Sequence, residues 1–152
     1  MRREKLKVLT LPAAPGRYVL DEQVGFLLRV AIQRHTSIFT SRMIESLTQT
    51  QFAALAKLHE VGPCSQNQLG RLIYLDAATI KGVVDRLGVR GFVTALGDPT
   101  DRRRRRAVAL TERGRQVTQA AMVVAAEITA ATLAPLTVDE QQLVTRLLKK
   151  LG

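Results

Sequence analysis

The chain has 152 residues, enough for one domain with its own core and too few for two ordinary ones. Lys and Arg outnumber Asp and Glu by 23 to 13, and the formal charge of +10 selects a polyanionic partner, either nucleic acid or an anionic membrane surface. No apolar run approaches the roughly 20 residues that span a bilayer, so nucleic acid is the expected partner and a membrane is not.

Further exclusions follow from composition. Met1 to Lys7 is basic but is followed by no apolar stretch of signal-peptide length, so a cytoplasmic location is expected. The single Cys64 excludes an intramolecular disulfide and a cysteine-rich zinc site. Four Phe, two Tyr and no Trp leave little for stacking single-stranded bases, which favours duplex DNA.

Residues 1–17 carry Arg2, Arg3, Lys5 and Lys7 and then Pro12, Pro15 and Gly16, a composition that opposes regular structure and predicts a flexible basic arm. From Asp21, a candidate N-cap, to about Ser46, apolar residues from Val24 to Phe39 recur at helical spacing and predict a long first helix. Thr48 or Thr50 caps a second helix through Phe52, Leu55 and Leu58, ended by Gly62-Pro63. Ser65 starts a short third helix with Leu69, Leu72 and Ile73 facing inward, and Asp76 caps a fourth carrying Ile80, Val83, Val84 and Leu87. Two short helices across a tight turn are a helix-turn-helix signature.

After Gly91, Phe92 to Leu96 and Ala107 to Leu110 are β-prone. Between them lie Gly97-Asp98-Pro99-Thr100-Asp101 and five consecutive arginines, Arg102 to Arg106, the pattern of a β-hairpin wing with a basic loop. Thr111 opens a fifth helix to about Leu133, Pro135 breaks it, and Thr137-Val138-Asp139-Glu140 reads as a capping box for a sixth ending near Leu151. The first, fifth and sixth helices hold more apolar residues than packing on a small winged unit needs, and a subunit interface is the simplest sink for them. The expected fold is therefore mainly α (α+β). A winged helix-turn-helix DNA-binding region spans 48–110, and a helical dimerisation region spans 18–47 and 111–152.

Each part of the winged unit has a physical task. The fourth helix would enter the major groove, where Ala77 and Ala78 permit close approach to base edges and Thr79, Lys81 and Arg86 bond bases or phosphate. The alternative for these side chains is simple solvation. Five adjacent cations repel one another unless an anion is near; Arg102 and Arg103, with Arg104, are placed to reach a minor groove, and Asp101 could orient Arg103 through a bidentate pair.

Three stretches, Asp85-Arg86-Leu87-Gly88-Val89-Arg90-Gly91-Phe92-Val93, Asp98-Pro99-Thr100-Asp101-Arg102-Arg103 and Ala109-Leu110-Thr111-Glu112-Arg113-Gly114, resemble the MarR family of bacterial regulators. The resemblance covers the winged unit, and the helix order on either side is similar too. It implies a triangular homodimer bound to a pseudo-palindromic operator, acting as a repressor released by a small ligand. It carries the family's base-contact positions to Thr79, Lys81 and Arg86, and its wing pair to Asp101 and Arg103. Gly82 stands where some members have a DNA-contacting Arg. Val24-Gly25-Phe26-Leu27-Leu28-Arg29, Gln33-Arg34-His35 and Cys64-Ser65-Gln66-Asn67-Gln68-Leu69 are similar to a nicotinate-pathway branch of the family, which implies 6-hydroxynicotinate or a related pyridine carboxylate as inducer.

For such an effector, a pyridine or benzene carboxylate, the first helix offers His35 on the face of Val24, Ala31 and Ile38, with Arg42 seven residues on. A guanidinium pairs with the anion while apolar walls take the ring. Arg34, Phe52 and His59 are further candidates; His35 reads equally as an interface histidine, and Phe52 as core. Family members that sense peroxide carry their cysteine in the first helix, which argues against that role for Cys64. With two His, one Cys and carboxylates mostly at cap or salt-bridge positions, no catalytic triad, metal site or cofactor site assembles, and no enzyme is expected. The rival to a sequence-specific regulator is a non-specific architectural nucleic-acid-binding protein, or a regulator of the same type with a different ligand or none.

Overall fold

The computed structural model describes residues 16–101 and 106–152. Residues 1–15 of the basic arm and Arg102 to Arg105 of the wing lie outside them. The element order is α1 (Val24–Arg42), α2 (Gln49–Val61), β1 (Cys64–Ser65), α3 (Gln66–Leu72), α4 (Ala77–Val89), β2 (Val93–Leu96), β3 (Ala107–Leu110), α5 (Glu112–Leu133) and α6 (Val138–Leu151).

The sequence places most helix starts because side chains make them. Thr48, Ser65, Asp76, Thr111 and Thr137 each accept a hydrogen bond from the backbone N–H three residues on, and Thr48 with Gln51 and Thr137 with Glu140 close full capping boxes. The first helix departs from expectation at both ends. Asp21 is not its cap but sits in a 3-10 turn, Leu20–Glu22, and α1 begins after Gln23, whose Nε2 donates back to Val19 O at 2.9 Å. At the other end α1 stops at Arg42 rather than Ser46: Met43 is extended (φ −64°, ψ 137°), and Glu45 and Ser46 follow in left-handed backbone (φ 55° and 50°) within a second 3-10 turn. Leu72, expected inside, is exposed, whereas Leu69 is fully buried.

The sheet has three antiparallel strands in the order β1-β3-β2. The hairpin pairs Val93 with Leu110 through to Leu96 with Ala107, and β1 adds Cys64 opposite Val108. A two-residue strand carries no alternation signal, which is why it went unread. Close backbone approaches lock the unit together. A Cβ on Gly70 would lie 3.0 Å from Ile80 Cγ2 and 3.1 Å from Leu75 O, so α3 and α4 cross at a glycine. A Cβ on Gly114 would lie 1.9 Å from Phe92 O, so only glycine lets α5 start against the root of the wing.

Leu55, Leu69, Ile80, Leu87 and Phe92 form the centre of the core, which runs on through Leu47, Met43 and Phe39 to Ala121 and Ile128 of α5. The buried Thr118 hydroxyl is satisfied by Gly114 O at 2.7 Å. By contrast α6 buries no residue, and Leu143, Leu147, Leu148 and Leu151 are all exposed. Among the described residues no single helix is long and apolar enough to cross a membrane, and α5 and α6 are bent by 106° at their break.

Candidate nucleic-acid interface and ligand crevice

The turn between α3 and α4 is closed by Leu75 N donating to Gly70 O at 2.9 Å, with Tyr74 left-handed and exposed. Asp76 then caps α4: its Oδ1 accepts from Thr79 N at 2.7 Å, and the bonds from Thr79 hold its carboxyl below the ordinary carboxylate range. With Ile80, Val83 and Leu87 turned into the core, α4 leaves Ala77, Ala78, Thr79, Lys81 and Arg86 exposed. The five candidates on this helix therefore share its outward surface.

Two of them lie along the helix surface in ways the structure defines. Lys81 Nζ lies 2.7 Å from Asp85 Oδ2 one turn on, and both side chains are more than half exposed, so the pair contributes only about 0.3–0.5 kcal/mol and opens readily. Arg86 folds back along the helix: a Cβ at Gly82 would stand 3.2 Å from its Nη1. The guanidinium of Arg86 thus covers the spot that Gly82 leaves bare, so a cation lies over position 82 although no arginine occupies it.

In the wing, Asp98 Oδ1 accepts from Thr100 Oγ1 at 2.7 Å and Thr100 N at 2.8 Å, and Asp101 N donates to Asp98 O at 3.2 Å. Those Thr100 bonds, with the charge of Arg106 adding to them, hold the Asp98 carboxyl low. The sequence marked this segment as a turn but did not single out Asp98 as its organiser. Arg102, Arg103 and Arg104, and with them the Asp101–Arg103 pair, fall outside the described residues.

A crevice of about 480 Å³ opens between the C-terminal half of α1 and the start of α2. Phe39, Met43 and Leu47 give it an apolar floor; Thr36, Thr40, Ser46, Thr48 and Thr50 give it hydroxyls, and Gln49 donates to Thr36 Oγ1 at 3.0 Å. None of the five ligand candidates lines it. His35 and Phe52 flank its floor, their rings 6.3 and 6.2 Å from that of Phe39. His35 Nδ1 is bonded to Thr132 Oγ1 at 2.8 Å, and Arg34 donates to the carbonyls of Ala131 and Thr132, capping the end of α5. Arg42 is exposed in the last turn of α1, and His59 stands in a different hollow at the root of the wing with Arg115. The lining residues that went unread, Thr36 and Thr40 four apart and the 46–50 run, were legible only as helix surface and caps. Among the described residues no cluster of three or more His, Cys, Asp or Glu is arranged for a metal. Cys64 is buried in β1 of the sheet, and desolvation pushes its thiol up, away from the reactive thiolate.

A helix-turn-helix whose second helix presents small and cationic side chains, followed by a two-stranded wing, defines a winged-helix DNA-binding protein. Residues 47–104 match the MarR family. Over 135 residues the chain is 40% identical to the HTH-type transcriptional repressor NicR of Pseudomonas putida, covering 88% of this chain and 85% of that one. A "probable transcriptional regulator" from Pseudomonas aeruginosa superposes with a TM-score of 0.83 at 48% identity, covering 88% of this chain and 100% of that one. BpsR of Bordetella bronchiseptica, whose DNA binding is regulated by 6-hydroxynicotinic acid, superposes with a TM-score of 0.83 at 37% identity, over 91% and 100% of the two chains. The chain belongs to the MarR family: it is a DNA-binding transcription regulator and not an enzyme.

Proposed function

We propose that this chain is a homodimeric repressor, released from a pseudo-palindromic operator by a small aromatic carboxylate, with 6-hydroxynicotinate or a close relative as the effector. The observation that carries the effector is the crevice itself. Its apolar floor suits a flat ring, and its hydroxyls and the Gln49 amide suit the polar substituents of such an acid. It lies between α1, in the dimerisation region, and α2, the first helix of the winged region, so occupancy there bears on how the two are set against each other. The likeness to BpsR along almost the whole chain supports the same choice of acid.

On DNA, Ala77, Ala78, Thr79, Lys81 and Arg86 would read the major groove. Asp101 would orient Arg103 while Arg102, Arg103 and Arg104 hold the minor groove. The unburied apolar faces of α1 and α6 would be covered by the second copy. The test is a footprint on the DNA flanking its gene, with and without 6-hydroxynicotinate and benzoate. Two protected half-sites about one helical turn apart, relieved by the pyridine acid, are expected; protection without symmetry counts against the dimer, and symmetric protection that neither acid relieves counts against the effector. Substituting His35→Ala should raise the acid concentration needed for release by about ten-fold, for loss of one hydrogen-bonded group beside the floor, with ligand-free DNA affinity unchanged. An unaltered response removes His35 from the site.

A further inference from the structure

Glu45 and Ser46 are adjacent non-glycine residues with left-handed backbone, a conformation that costs free energy and persists only where surroundings impose it. What holds the first of them comes from the far end of the recognition helix. Arg90, the C-cap of α4, donates through Nη2 to the backbone carbonyl of Glu45 and approaches the Glu45 carboxylate at 3.5 Å. Its guanidinium also lies over the Phe92 ring, 4.7 Å from the centroid, and that ring is covered as well by Arg113 of α5 at 5.3 Å. Phe92 is fully buried, and its carbonyl accepts from Thr111 N at 3.1 Å. Arg90 is therefore fixed at both ends, between the turn after α1 and the junction of α4, the wing and α5.

We infer that Arg90 is a positioning residue for DNA recognition: it clamps the C-terminal end of α4 to the left-handed Glu45–Ser46 turn and so sets the angle at which the recognition helix is presented. A planar fork suits a carbonyl, a carboxylate and a ring face at once, which a lysine ammonium cannot. Ser46 and Leu47 also line the crevice, so this turn joins the crevice to the recognition helix by one covalent step and one hydrogen bond. That last link rests on the effector site proposed above; the clamp does not.

The clamp is tested first without DNA. Arg90→Met keeps an unbranched apolar side chain beside Phe92 and removes the guanidinium, both the fork to Glu45 and the cation over the ring. Backbone amides of residues 86–91 and 45–47 should then exchange about ten-fold faster than in the unaltered protein, as expected for losing a bond from a charged donor, with the melting transition retained. On a duplex carrying the protected site, Arg90→Met should weaken binding about ten-fold with an unchanged salt slope, and Arg90→Lys should not restore it. Glu45→Gly keeps the carbonyl and relieves the backbone, so it should bind within about two-fold of the unaltered protein. Unchanged exchange overturns the clamp. So does a salt slope that falls by about one unit per subunit with rescue by lysine, which marks a phosphate contact, and so does a Glu45→Gly variant as weak as Arg90→Met. If Arg90→Met does not fold, the lysine and glycine variants decide. Failure of the effector proposal would look different: these results would stand, and the unaltered protein would ignore 6-hydroxynicotinate.

Discussion

Between Thr48 and Leu110 the chain builds a core from its own apolar residues: Leu55, Leu69, Ile80, Leu87 and Phe92 lose all contact with solvent, while Leu72, Val89 and Leu96 stay exposed at its surface. In α6 the same kind of residue is left in water: Leu143, Leu147 and Leu151 recur every fourth position along one face, Leu148 stands beside them, and none is buried. Covering a leucine contributes about 1.5–3 kcal/mol, so the second region forgoes what the first collects. The start of α6 is nevertheless well determined, by its capping box and by Gln141 Nε2 donating to Leu133 O and Leu136 O. A helix that is fixed at its root and apolar along one exposed side is built to meet something, and here a second copy is proposed. One region is finished by its own sequence; the other, on the proposed dimer, by association.

The largest break in this contrast is expected where α5 starts against the finished region. Gly114→Ala drives a methyl into the Phe92 carbonyl, a backbone atom that cannot swing aside, and should cost about 3 kcal/mol or more; an unchanged denaturation midpoint would contradict the close approach of α5 to the wing. The unfinished region should respond in the opposite manner. Leu147→Glu alters an exposed position, so the fold of the single chain should change by no more than about 0.5 kcal/mol. Sedimentation should nevertheless show dissociation, and operator affinity should fall about 100-fold as paired half-site binding is lost. A Leu147→Glu protein that stays dimeric removes α6 from the interface.

The two regions also differed in how far they could be read. The winged unit was legible because local chemistry writes it out: Ser65 and Asp76 as caps, Gly62-Pro63 as a stop, Ile80, Val83 and Leu87 as one buried face, and a turn sequence between two β-prone runs. The five exposed candidates on α4 came from that pattern. The crevice was not legible, because its wall is made where two helices meet through a left-handed turn, and nothing in Ile44-Glu45-Ser46 announces positive φ. Helical periodicity there runs on to Ser46, whereas the backbone leaves the helix at Met43 and turns left-handed at Glu45, whose carbonyl meets the Arg90 fork. His35 reads from the sequence as a polar group on the face of Val24, Ala31 and Ile38, and Arg34 as a further candidate, but both are taken up by the end of α5.

A smaller effect separates the starts of α1 and α4. No side chain caps α1, whereas Asp76 caps the helix proposed to read DNA. The folded carboxyl of Asp76 titrates below its ordinary range, chiefly through the bonds from Thr79, so its stabilising part is complete above the ordinary carboxylate range and is lost as pH falls through the lowered value. In the DNA-free protein, the side-chain carboxyl signal of Asp76 and the Thr79 amide signal should therefore shift together, with one midpoint below that of an unstructured aspartate. With Asp76→Asn the Thr79 amide should stop titrating while α4 stays intact, because an asparagine oxygen caps without a proton to gain. With Asp76→Ala the first turn should fray at every pH, and operator affinity should fall by less than about ten-fold, since a cap holds one turn and not the core. If the Thr79 amide shift still follows pH in the asparagine variant, another group governs that turn.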